Sequence, residues 1–217
     1  MAASKSDGCG PGPGEGGPPG VPPEVFPESW RPLLAQPALA GLLGEPLVDG
    51  ALLAAHRLLP PRVALHSLRT FLLADACAAA RGTGYDRAGL LAAAAFHDTG
   101  LTGDAPRVSG GFPYRSAALL DRFLTEHGVA DARRRALTGA VRRHMRPFPP
   151  RDGGPEARLL HFGAWLDVTG RGRRALPGER RRLAELAPTP WFAVSFPARV
   201  AGCGLRRALP GFSAAAR

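Results

Sequence analysis

Apolar positions recur at helical rather than strand spacing along most of this chain. Leu65, Leu68, Leu72 and Ala76, with Phe71 and Ala79 beside them, repeat every three or four residues, which gathers side chains on one face of an α-helix. The spacing predicts a helix from Pro61 or Arg62 to about Arg81, stopped by Gly82 and Gly84. A shorter helix over residues 49–58 ends at Pro60-Pro61, because the residue before proline avoids helical geometry. Downstream, Asp86 is placed to cap a helix running through Leu90, Leu91 and Ala95 to Asp98, with Gly100 as its stop.

A glycine-rich loop over 101–113 then leads to a helix over 114–127 closed by Gly128, and to another capped by Asp131 and reaching Met145. After a loop over 147–155, helices are expected near 156–169, 178–186 and 191–208. Around Trp30, the leucines Leu33, Leu34, Leu39, Leu42 and Leu43 fall among prolines and glycines, as in short helices or turns. Residues 1–27 carry Gly, Pro and Glu with almost nothing to bury, and read as a disordered tail. The expected fold is therefore all-α, with one helical bundle domain over 28–217 and no internal repeat.

Composition agrees with this picture. Helix formers dominate the interior, while β-branched and aromatic residues are sparse. The longest apolar run, about Leu90 to Phe96, falls far short of the ~20 residues of a bilayer span, so no membrane association is expected. Lys5 is followed by Gly and Pro rather than by an apolar stretch, which counts against a secretory signal. Cys9, Cys77 and Cys203 are odd in number and lack CxxC spacing, which argues against a disulfide framework and a zinc knuckle and fits a reducing cytoplasm. The state of oligomerisation is open, a homo-oligomer included.

The net charge of +10 is local. Between Asp131 and Arg182 fourteen arginines face five acids, a surplus of nine. Runs such as Arg133-Arg134-Arg135 and Arg180-Arg181-Arg182 have the charge to meet phosphates. No aromatic residues are interleaved for base stacking, so solvated helix faces are the better reading and nucleic acid is disfavoured as a partner.

The candidate chemistry starts from His97-Asp98 at the end of an alanine-rich helix. Neighbours on a helix diverge by about 100° and meet one ion only where the helix ends, and the Thr99-Gly100 turn supplies that end. Further ligands must come from other helices. His66 lies in a helix apolar enough to be central. Asp167 aligns with Leu160 and Gly163, so its carboxylate is directed inward, where a cation or a core arginine has to stabilise it.

The order His66, His97-Asp98, Asp167 resembles that of the HD superfamily of metal-dependent hydrolases and lyases, over roughly Leu52 to Arg199. The stretches HSLRTFLLA from His66, LLAAAAFHDTGLT from Leu90 and LLHFGAWLDVTG from Leu159 look most like the cyanamide hydratase-like branch. The resemblance implies that His66, His97, Asp98 and Asp167 hold one divalent metal ion, with Zn, Fe, Mn or Ni all suited to the donor set. It implies a bound water whose pKa falls from about 15.7 toward ~7, Asp98 as the group that takes its proton, and a small-molecule substrate with a polarised carbon.

Other positions follow with it. His144 shares a face with Leu137 and Val141 and should point inward, to contact substrate, donate a proton, hold a second metal or act as a core histidine. Arg69, one turn after His66, can reach a substrate anion or pair with Asp75 or Asp98, and the Thr102 hydroxyl can bind ligand. His161 is read as projecting with Trp165 away from the Asp167 face, and His56 and His127 sit near helix ends, so none of the three joins the site. Hydration of a nitrile-like substrate leads. Phosphoester hydrolysis is the alternative, weakened because HDTGLTGD carries no base before Arg107. GGFPYRSA likewise has Pro113 where the hydratase-like branch commonly has an acid. The reading from another class is a basic nucleic-acid-associated helical protein with a vestigial site.

Overall fold

The structure, a computed structural model, describes residues 22–102, 108–190, 192, 195, 196, 198, 200 and 201. Among them there is no β-strand. The helices are α1 (Arg31–Leu34), α2 (Pro37–Ala40), α3 (Pro46–Leu58), α4 (Pro61–Arg81), α5 (Arg87–Phe96), α6 (Phe112–Glu126), α7 (Asp131–Arg143), α8 (Gly154–Thr169) and α9 (Glu179–Leu186), with 3-10 turns at Pro23–Val25, Glu28–Trp30 and Thr99–Leu101. The described positions of the expected helix over 191–208 are helical, and the rest of that helix, Arg107 and residues 1–21 of the expected tail lie outside the described residues.

The fold is organised by α4. Every residue from Val63 to Ala74 is buried, so this helix is covered all round rather than along one stripe, the mark of a central helix. Its 21 residues are long and apolar enough to cross a membrane by length and composition, yet 78% of the qualifying window is buried inside the protein. α4 packs against α8 and α5, α5 against α3 and α7, and α7 against α6 and α8. The approach of α8 to α4 is close because residue 163 is glycine: a Cβ there would lie 2.2 Å from the Thr70 carbonyl oxygen. Gly100 plays the same part for the turn after α5, where a Cβ would meet the Phe112 carbonyl oxygen at 2.1 Å.

Several boundaries differ from the expectation for one reason. α3, α6 and α8 begin at Pro46, Phe112 and Gly154, two or three residues early, and each has proline in its first two positions. The missing N–H of proline costs nothing there, since the first N–H groups of a helix have no intrahelical partner. α7 takes Ala130, not Asp131, as its cap, and the Asp131 carboxylate accepts from Arg134 instead. At the N-terminal side, Phe26 is 3% exposed and stacks on Trp30 with ring centroids 5.5 Å apart, so packing begins before the expected end of the tail.

Asp86 does cap α5. Its Oδ1 accepts from the Gly89 amide at 3.0 Å, and Arg133 on α7 grips both carboxylate oxygens. Burial pushes the Asp86 pKa up, but the Arg133 and Gly89 hydrogen bonds outweigh it and hold the carboxyl below its ordinary value. A carboxyl with a depressed folded pKa stabilises the fold fully above its unfolded pKa, and that stability is lost as pH falls through the folded value. Asp86→Ala should therefore cost about 1 kcal/mol in urea unfolding at neutral pH, and the difference from wild type should shrink as the titration is repeated in increasingly acid buffer. A cost independent of pH would show that the Asp86 charge is irrelevant.

Candidate metal centre

α5 ends one residue before the chemistry. His97 is its C-cap, with φ −58° and ψ −27°, and Asp98 then leaves helical geometry at φ −111° and ψ 2°. The break lets two consecutive side chains face the same point. α7 ends in the same way, with His144 as its C-cap. Each cap histidine donates its Nδ1–H to the carbonyl three residues back, His97 to Ala94 at 2.7 Å and His144 to Val141 at 2.6 Å. A carbonyl oxygen only accepts, so Nδ1 carries a proton in both rings, and in the neutral ring Nε2 is a lone pair. One contact thus satisfies a helix-end carbonyl and sets the tautomer.

His66, from the middle of α4, is fixed from α8. Its Nδ1 donates to Asp167 Oδ2 at 2.7 Å, and Arg69 Nη2 donates to the same oxygen at 2.8 Å. Burial pushes the Asp167 pKa up, but the His66 hydrogen bond and the charges of His66 and Arg69 hold it below the ordinary carboxylate range. With Nδ1 so engaged, His66 turns Nε2 toward the other side of its ring.

Three imidazoles therefore turn their Nε2 atoms toward one buried carboxylate. His66 Nε2 and His97 Nε2 are 3.3 Å apart, and Asp98 Oδ2 lies 3.7 Å from the first and 3.1 Å from the second. The ligand atoms of His66, His97 and Asp98 all fall within 4.8 Å of one another, and this group can hold a metal ion. The other Asp98 oxygen, Oδ1, is 3.6 Å from His144 Nε2. All four residues are at most 1% exposed. Asp98 Oδ1 and Oδ2, His144 Nε2 and Asp167 Oδ1 are buried without a hydrogen-bond partner among the described residues. Such a set is costly unless a cation compensates it, and imidazole with carboxylate suits a divalent transition metal.

The electrostatics carry the same imbalance. Burial lowers the His97 pKa, but the charge of Asp98 beside it overrides burial and lifts it above the ordinary imidazole value. Burial raises the Asp98 pKa, and the neighbouring imidazoles of His97, His144 and His66 overturn that and hold it far below its ordinary range. His144 is lowered by burial, against the pull of Asp98. The charge of the buried Asp98 carboxylate favours a positive charge beside it.

Asp167, Arg69 and Thr102 are each engaged within the chain. Asp167, expected as a fourth direct ligand, lies beside the group: its Oδ2 accepts from His66 Nδ1 and Arg69 Nη2, and its Oδ1 is buried without a hydrogen-bond partner among the described residues. Arg69 was expected to reach a substrate anion or to pair with Asp75 or Asp98. Its guanidinium is 4% exposed and committed to Asp167 and to the Ala187 carbonyl at 3.0 Å. The Thr102 hydroxyl donates to the Thr99 carbonyl at 2.7 Å and does not line the cavity.

That cavity, about 350 Å³, opens above the metal-binding group, with His66, His97, Asp98 and His144 in its floor. Phe192 and Phe196 cover His66, with ring centroids 5.0 and 5.5 Å from its own. Trp165, expected to project away from the Asp167 face, lines the cavity. The signal was present in the α8 register, since Trp165, Val168 and Thr169 follow helical spacing on a face distinct from that of Leu160, Gly163 and Asp167. His161 donates to or accepts no group of the site, its Nε2 bonding the Arg146 carbonyl at 2.9 Å.

The basic runs are paired within the chain. Arg133 meets Asp86, Arg134 meets Asp121 and Asp131, and Arg182 meets Glu179. No protein-family model matches the chain, and no curated protein is found similar to it.

Proposed function

We propose that this chain is a metal-dependent enzyme of the HD type that adds water to a small neutral substrate with a polarised carbon, converting a nitrile-like group to an amide. The observation that carries this reading is the convergence of three Nε2 atoms on the buried Asp98 carboxylate. A divalent cation bound there supplies an acidified water, its pKa lowered from about 15.7 toward ~7.

The chain's own residues account for the proton movements. Asp98 Oδ1 and His144 Nε2 stand side by side as acceptors without a donor, so either can take a proton from the attacking water. His144, once it holds that proton as imidazolium, can return it to the substrate nitrogen as the C–O bond forms and one C–N π bond breaks. The imidic acid so made becomes the amide when its O–H proton moves to nitrogen and the second C–N π bond is exchanged for C=O, one water being consumed per amide. Asp167 and Arg69 hold the His66 ring at the angle that keeps its Nε2 in the group. Phe192 and Phe196 keep bulk water from His66.

Phosphoester hydrolysis is less well supported because no Arg or Lys among the described residues lines the cavity. The nucleic-acid reading is weakened by the internal pairing of both arginine runs. Purified full-length protein of known metal content should convert aliphatic or aryl nitriles to amides and release no phosphate from nucleoside monophosphates or p-nitrophenyl phosphate. Phosphate release with nitriles inert overturns the hydratase reading.

A further inference from the structure

Among the described residues, the polar lining of the cavity is its floor and the Thr169 hydroxyl at its edge. Above the histidines its walls come from Met145, Ala164, Trp165 and Val168, with Phe196 and Val200 opposite. The hydroxyl of Thr169 at the edge is committed elsewhere, donating to the Trp165 carbonyl at 2.7 Å and accepting from the Arg171 amide at 3.1 Å. A very small polar molecule would leave such walls uncovered. An apolar group gains roughly 0.8 kcal/mol for each methylene removed from water.

Trp165 is the largest of these wall residues and is held in place. Its only donor, Nε1–H, is turned out of the cavity and bonds the His144 carbonyl at 3.0 Å. The ring stacks on His161 at 5.7 Å between centroids, and the Arg171 guanidinium carbon lies 5.4 Å from the ring centre. Arg171 in turn donates to the Pro147 carbonyl and lies 5.7 Å from the Phe148 ring centre. The wall is therefore braced from outside, and its only polar atom is satisfied. It faces substrate as hydrocarbon.

We propose that the substrate carries an uncharged apolar body, an unbranched alkyl or small aryl group, on the polar head that meets the metal-binding floor, and that Trp165 sets how long that body can be. The inference rests on the hydratase reading for the head group and on the cavity alone for the body.

The test uses n-alkanamides from acetamide to octanamide as non-reacting probes, titrated calorimetrically into full-length protein in metal-loaded and chelator-treated forms. The dissociation constant should tighten about fourfold per methylene up to a limiting chain length. That limit should lengthen in Trp165→Ala and shorten in Val168→Phe, with circular dichroism showing both variants folded. A flat series, or a limit that neither variant moves, overturns the proposal. Metal bound at one equivalent with a flat series sinks the apolar body and leaves the metalloenzyme. The chain-length slope in a protein that binds no metal keeps the apolar cavity and sinks the hydratase.

Discussion

His97→Ala should bind no divalent metal under conditions where the wild-type protein retains one equivalent. The variant removes the Nε2 that lies 3.3 Å from His66 Nε2 and 3.1 Å from Asp98 Oδ2, leaving one imidazole and one carboxylate to ligate. Losing a partner that merely orients a ligand costs 10–100-fold in affinity, and losing the ligand itself should cost more. The variant also strips the Ala94 carbonyl of its Nδ1–H donor, a buried loss of about 1–3 kcal/mol, so stability has to be followed alongside. Added metal should stabilise wild type by about 2.7 kcal/mol at a hundredfold excess over its dissociation constant, and should leave His97→Ala where it was. Elemental analysis and thermal unfolding with and without metal check both. A variant that still holds one equivalent and is stabilised like wild type would remove the metal centre from this site.

How much of this was legible in the chain depends on the range of the interaction. The convergence of His97 and Asp98 could be foreseen because its cause is local: a helix that must end at Thr99-Gly100. The Asp86 cap and the α4 stop at Gly82, with φ 60°, are local too. α3, α6 and α8 start two or three residues before the expected positions because Pro46, Pro113 and Pro155 sit in their first turns, where proline costs nothing.

The roles of Asp167, Arg69 and Thr102 depend on partners about a hundred residues away or on competing backbone acceptors. Helical spacing placed Asp167 facing inward, but could not say that Arg69, itself on the central helix, would reach it first. The inward carboxylate had two candidate partners, a cation or a core arginine. The fold gives it Arg69 directly and, through His66, the edge of the metal-binding group. Trp165 could be placed off the Asp167 face, but not at the cavity, because the cavity is closed by residues of other segments; His161 stacks on its indole without lining that space.

The same chain of contacts separates a ligand from a positioning residue. In Asp167→Ala the Arg69 guanidinium stays buried with only the Ala187 carbonyl as acceptor, and removing one member of a buried ion pair destabilises by about 3–5 kcal/mol. His66 loses the acceptor on Nδ1, so its ring and tautomer are no longer set, and metal affinity should fall about 10–100-fold without vanishing. The double variant Arg69→Met/Asp167→Leu replaces the pair by apolar groups and should recover most of the stability, since a buried pair exchanged for well-packed hydrophobic residues is close to neutral. Its metal affinity should stay as weak as that of Asp167→Ala. Chemical denaturation and metal titration on the two variants read these effects independently. If Asp167→Ala instead abolishes binding as fully as His97→Ala while the fold loses little stability, Asp167 is a direct ligand, and its contact with His66 Nδ1 is not what holds the centre together.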